Sequence, residues 1–332
     1  MTVQPIFPAL LEGFFTRRLM QQRQASAHTI SSYRDTFRLL LQFAQKRLRR
    51  APSALTLEDI DASLVADFLD ELEKERDVTA RTRNLRLTAI HSFFRYVAFE
   101  APAHAAQTQR VLAIPAKRFT RALVPFLSRQ EVDALLKAPN RSTWSGRRDH
   151  ALILLAVQTG LRLSELTGLR HQDLHLGTGA HVRVIGKGRK ERCTPPSKNT
   201  RTVLAAWMKE LPNCPDQPLF PNTRGGHLSS HGVHYLLAKH VVTASSTCPS
   251  LKHKRVSPHV LRHTTAMDLL QQGVEQSVIA LWLGHESIET TQVYLDADLE
   301  LKQRVLDAVT PLNGKPGRYR PDDKLLAFLN SL

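Results

Sequence analysis

Cysteine is scarce in this chain: Cys193, Cys214 and Cys248 are the only three in 332 residues. They are scattered, odd in number and without C-x-x-C spacing. That excludes a disulfide framework and a zinc ribbon, and it points to a reducing cytoplasm. Long apolar runs are lacking too. No stretch approaches the roughly 20 residues of a membrane span, and the start "MTVQPIFPALLEGFF" has neither the charged opening nor the long apolar core of a signal peptide. The G-x-x-x-x-G-K-[ST] phosphate loop is missing, as is the G-x-S-x-G elbow of serine hydrolases. No internal repeat or low-complexity tract stands out. Acids are also in deficit, 30 Asp and Glu against 46 Lys and Arg.

The resulting formal charge of +16 is not carried by one tail. Up to Phe126 there are 19 basic and 12 acidic residues, and beyond it 27 and 18. A positive excess on both halves suits a protein that surrounds a polyanion better than one with a localisation patch. With 42% hydrophobic and 23% charged residues the composition is that of a folded globular protein. At roughly 100–200 residues per domain the length suggests two domains.

The first hundred residues read as helices. "PALLEGFFTRRLMQQRQ" and "SAHTISSYRDTFRLLLQFAQKRL" carry apolar residues at helical spacing, the second with Tyr33, Phe37, Leu40, Leu41 and Ala44 on one side. "TLEDIDASLVADFLDELEKE" reads with Thr56 as N-cap and acids in its first turn. A fourth helix, "TARTRNLRLTAIHSFFRYVAFE", sets arginines beside an apolar face of Leu85, Ile90, Phe93, Phe94 and Val97, and Pro102 ends it. From 103 to 127 periodicity fails amid prolines and the basic residues Lys117, Arg118 and Arg121, which reads as an interdomain linker. A second domain opens at Ser128, with Ser128 and Glu131 as a capping box. It continues through a buried helix that Gly160 terminates, a hairpin signal around Gly186-Lys187-Gly188, and further helices. The chain thus reads as mainly α with a small β-sheet: 1–102, a four-helix module; 103–127, a basic linker; 128–310, a second domain; 311–332, a tail.

Six residues of the second domain suit chemistry on a phosphodiester without metal. Such a reaction needs cations on the non-bridging oxygens, a nucleophile on one side and a proton donor for the leaving oxygen on the other. Arg162 in "TGLRLSEL" follows the helix end at Gly160, with Glu165 three residues on to hold it. In "SPHVLRHTT", Ser257 is an N-cap and Pro258 the first helical residue, so His259 and Arg262 lie on one face of the first turn, where anions are favoured. Two forked guanidiniums can share one phosphate as lysine cannot. His285 follows Gly284 in a tight turn, and Tyr294 lies two turns into the next helix. A free phenol is only about 0.1% ionised at neutral pH, so Tyr294 alone reads as core packing, and Lys187 alone as an exposed turn lysine. His259 and His263 share the spacing of zinc ligands, but neither a glutamate after the first nor a third ligand accompanies them, so no metal is expected.

In this order, Arg162, Lys187, His259, Arg262, His285 and Tyr294 resemble the catalytic set of the tyrosine recombinase (phage integrase) family, including its Xer-like enzymes and mobile-element integrases. "SAHTISSYRDTFRLLLQF" and "TARTRNLRLTAIHSFFRYV" look like that family's SAM-like core-binding domain. The resemblance implies a DNA integrase that needs no cofactor. Tyr294 would attack the scissile phosphate to give a 3′-phosphotyrosine, Arg162 and Arg262 would clamp the phosphate, His259 and His285 would manage protons, Lys187 would protonate the leaving 5′ oxygen, and Glu165 would orient Arg162. It further implies double-stranded DNA at specific recombination sites as partner, a homo- or hetero-tetramer on that DNA, and a clamp of two domains in which Arg81, Arg83, Arg86, Lys117, Arg118 and Arg121 are candidate DNA contacts. No membrane is expected. A type IB topoisomerase and a DNA-binding accessory protein without cleavage are the alternatives.

Overall fold

A computed structural model describes residues 7–120, 124–186 and 190–284. The chain divides into two units, residues 1–121 and 122–332, each with its own core.

The first unit is helical throughout: α1 (Phe7–Gly13), continued in π register from Phe14 to Gln22, α2 (Ala27–Leu48), α3 (Ala62–Lys74), α4 (Ala80–Glu100) and α5 (Ala105–Leu112). Ser26, Asp61 and Thr79 cap α2, α3 and α4 through side-chain oxygens. Phe14, Phe37 and Phe93 meet at the centre with ring centroids 5.3–6.1 Å apart and mostly edge-on, each such pair contributing about 0.5–1.5 kcal/mol beyond burial.

Three expectations are corrected here. Thr56 does not cap α3. Its amide and hydroxyl both bond the Asp59 carboxylate, closing a turn, and Asp61 starts the helix instead. Leu85 is 59% exposed, because it projects away from the side of α4 that buries Leu87, Ile90 and Phe94. The stretch read as linker from residue 103 is helical from Ala105 to Leu112, and Val111 is fully buried in the first unit's core. Its single buried stripe is too short for periodicity to register.

In the second unit, α6 (Arg129–Lys137) begins at the expected capping box of Ser128 and Glu131. It is followed by α7 (Trp144–Thr159), α8 (Leu163–Gly168), β1 (Leu174–His175), β2 (His181–Ile185), β3 (Glu191–Thr194), α9 (Lys198–Met208), α10 (Ser230–Ala244), α11 (Pro258–Gln271) and α12 (Gln276–Leu283). The strands form one antiparallel sheet in the order β1-β2-β3. Val184 pairs with Arg192 and Val182 with Thr194 across the expected hairpin.

Helix α7 is buried along most of its length and packs against α11 and α9. Its Asp149 accepts from the Arg148 guanidinium at 2.7 Å and from His240 Nε2 of α10 at 2.8 Å. Burial alone would raise the Asp149 pKa, but the bonds from His240 and Arg148 more than offset it and hold the carboxyl below its ordinary value. This buried ion cluster fastens α10 to α7. Mainly α with one small sheet is therefore the observed fold class, and among the described residues no helix is long and apolar enough to cross a membrane.

Candidate active site

The site gathers where α7 ends, α8 and α11 begin, and α12 ends. Gly160 terminates α7 with φ of +62°, a conformation that only glycine adopts without strain. The chain then turns directly into Arg162, the N-cap of α8. Glu165, three residues on, accepts the Arg162 amide N–H through Oε2 at 2.7 Å and Nη1 of the same arginine through Oε1 at 3.0 Å. One carboxylate thus caps the helix and aims the side chain of its own cap residue.

Arg262 is the fifth residue of α11, which Ser257 caps and Pro258 opens as expected. Its Nη1 donates to the Gly160 carbonyl and its Nη2 to the Leu283 carbonyl, both at 2.7 Å. Arg162 Nη2 donates to the next carbonyl, that of Gly284, at 2.7 Å. The two guanidiniums are therefore anchored on consecutive carbonyls at the C-terminus of α12, the negative end of its dipole, where Gly284 adopts φ of +66°. Residues 100 apart in sequence are brought to one turn.

His259 lies one helical turn before His263, and their ring centroids are 6.5 Å apart. Partial burial, followed by the charges of Arg262, His234 and Arg162, holds the His259 pKa below its ordinary value. Burial comes first, and the nearby Arg262 and Arg162 guanidiniums add to it in keeping the His259 imidazole neutral. His263 is pushed down to about 4 by burial, His259 and Arg262. Among the described residues no three His, Cys, Asp or Glu side chains form a metal cluster.

Lys187, His285 and Tyr294 lie outside the described residues, as do Arg121 and the tail. Of the proposed DNA contacts, Arg81 and Arg118 are exposed. Lys117 is exposed too, and it is ion-paired with Glu73 and hydrogen-bonded through its backbone to Asn84. Arg86 is half-buried, bridging to Ser32 and Thr36 of α2. Arg83 is a correction: it is buried, and its Nη1 holds the Pro115 carbonyl at 2.9 Å, so it braces α4 against the segment that follows α5 rather than facing a ligand.

Two residues of the site escape sequence reasoning. His234, exposed on α10 and bonded to the Ser230 carbonyl, is close enough to His259 to act on it electrostatically. Arg192, on β3, grips Glu165 with both terminal nitrogens at 2.9 and 2.8 Å. The signal for Arg192 lay in the hairpin register, because it stands opposite the inward-facing Val184.

The phage integrase family profile matches residues 125–300, and the profile for the N-terminal SAM-like domain of phage integrases matches residues 13–100. The chain belongs to the phage integrase family. A relative in Sinorhizobium fredii NGR234, provisionally named integrase/recombinase y4rC, is 66% identical over 332 residues and the full length of both chains. Tyrosine recombinase XerC of Pelobacter propionicus is 32% identical over 300 residues, 90% of this chain and 94% of the relative. Among solved structures, the XerH site-specific recombinase bound to palindromic difH aligns with a TM-score of 0.67 over 86% of this chain and 81% of that one, at 21% identity. The Tn1549 transposon integrase on circular-intermediate DNA aligns at 0.65 over 89% and 98%, at 16% identity. These two matches place the phage integrase chain in the tyrosine-recombinase fold. By its family match and its tyrosine recombinase relative, this family member is a DNA strand-cleaving and rejoining enzyme.

Proposed function

We propose that this phage integrase is a site-specific recombinase that cleaves double-stranded DNA through Tyr294 and rejoins it to a new partner. The observation that carries the reading is the pair of guanidiniums, Arg162 and Arg262, fixed side by side on the Leu283 and Gly284 carbonyls with His259 beside them. Each arginine uses part of its fork on a carbonyl and is thereby held rigid before any substrate arrives. Preorganised cations of this kind stabilise the charge that builds on a phosphoryl oxygen in the transition state at no cost of reorganisation.

In the proposed step the Tyr294 phenolate oxygen attacks phosphorus, the bond from phosphorus to the 5′ oxygen breaks, and Lys187 gives that oxygen its proton. The product is a 3′-phosphotyrosine and a free 5′-hydroxyl. The hydroxyl of a partner strand then displaces the tyrosine, so the bond energy is conserved and neither ATP nor metal enters. His259 and His285 accept and return protons. Joining two duplexes requires four such cleavages, which makes a tetramer on DNA the working assembly, built from this chain alone or with related recombinases.

The test is a supercoiled plasmid carrying two copies of the inverted half-sites that flank the encoding locus, beside a plasmid without them. The account expects site-dependent exchange in the first and no relaxation of the second. Relaxation of both plasmids would assign a topoisomerase instead, and binding without any cleavage would assign an accessory protein.

A further inference from the structure

Arg192 has no place in the chemistry just described, yet it is built into its support. The Glu165 side chain is 3% exposed, and each of its oxygens receives two N–H donors. Oε1 accepts from Nη1 of Arg162 and Nη1 of Arg192, while Oε2 accepts from the Arg162 amide and Nη2 of Arg192. Arg192 makes the forked, two-point contact, and Arg162 spends only one guanidinium nitrogen on the same carboxylate. The carboxylate is held mainly by β3, and in turn sets the torsions of the side chain at the start of α8.

A third wall confirms that the space is shaped for this guanidinium. A Cβ added at Gly284 would meet Arg192 Nη1 at 2.9 Å and Cδ at 3.1 Å. Gly284 is also the residue whose carbonyl holds Arg162 Nη2. Arg192 therefore touches the hairpin, the Arg162–Glu165 cap and the end of α12 together, the three segments whose relative placement decides where the Arg162 fork points.

We propose that Arg192 is a positioning residue for strand cleavage: by saturating Glu165 from the hairpin it fixes the Arg162 guanidinium in the orientation that receives the scissile phosphate. This rests on the recombinase reading above. Lysine cannot replace it, because one ammonium offers a point charge where the two oxygens require a planar fork. Nor is its part merely structural, because its effect runs through one carboxylate and must vanish when that carboxylate does.

The experiment measures single-turnover cleavage of a nicked duplex bearing the inverted half-sites, with the parent, Arg192→Gln, Arg192→Lys, Glu165→Gln and the double variant Glu165→Gln/Arg192→Gln. DNA affinity is measured by gel shift and folding by circular dichroism. Arg192→Gln is expected to cleave slower by on the order of 100-fold, the cost of a misaimed catalytic group, with affinity within about threefold of the parent. Arg192→Lys recovers only part of the rate. On the Glu165→Gln background, Arg192→Gln adds no more than about a twofold loss. Burial raises the Glu165 pKa and the Arg192 and Arg162 contacts outweigh it, so removing Arg192 also moves the acid limb of the cleavage rate to higher pH. Parental cleavage by Arg192→Gln, or losses that multiply in the double variant, would overturn the proposal. If Arg192→Gln does not fold, Arg192→Lys decides, and a parental rate there overturns it equally. A parent that forms no adduct would instead sink the recombinase reading, so the two failures are distinct.

Discussion

His263 stands one turn beyond His259 on α11, partly buried and facing His259 and Arg262, and its pKa falls to about 4. In an unfolded chain a histidine titrates near 6.5. Between those values the unfolded state binds a proton that the folded state refuses, so stability rises with pH across this window and is lost as pH falls from 6.5 toward 4. Urea unfolding of the protein should show a loss of about 1–3 kcal/mol over that interval, and His263→Asn should flatten the slope. A slope unchanged in the variant would assign the pH dependence elsewhere. Single residues also show what the sequence made legible. Arg162, His259 and Arg262 could be placed because helix signals beside them, Gly160, Ser257 and Pro258, state which way each side chain leaves its element. Arg192 sits in "GKGRKER", beside Lys187, Arg189 and Lys190, where basic charge alone does not single it out. Arg83 misled for the converse reason: a helical arginine between Arg81 and Arg86 in a basic stretch reads as surface, and the distant Pro115 carbonyl explains its burial.

At the scale of elements, the elements that hold the site are joined through their ends. Gly160 closes α7 with a positive φ, its carbonyl anchors Arg262, and a Cβ placed there would lie 2.5 Å from Leu283 Cδ2 and 3.3 Å from Thr265. A left-handed alanine costs roughly 1–2 kcal/mol, and the collision with Leu283 adds to it. Gly160→Ala is thus expected to lower unfolding stability by about 2 kcal/mol or more and to weaken cleavage as Arg262 loses its seat, both read from one urea series and one cleavage assay. A neutral Gly160→Ala would mean that the turn relaxes and does not set Arg262. Long amphipathic elements such as α2 and α4, and the sharply capped α6 and α11, were readable from period and cap. Helix α5 was not, because eight residues with two buried positions make too little pattern. The two-residue strand β1 was missed for the same reason: it exists through its pairing of Leu174 with Val182, a contact no local run encodes.

For the molecule as a whole, basic charge is shared between both units and a preformed pair of arginines stands in the second, which suits the proposed attack on a polyanion at one point. The family matches cover residues 13–100 and 125–300, one in each unit, and leave the reaction itself as the central claim. Purified protein incubated with nicked half-site duplex, then denatured and run on a gel, measures that claim directly. The account predicts a slow-migrating band in which DNA is joined to protein through its 3′ phosphate, present with the parent and absent with Tyr294→Phe. A band of equal intensity from Tyr294→Phe would contradict it.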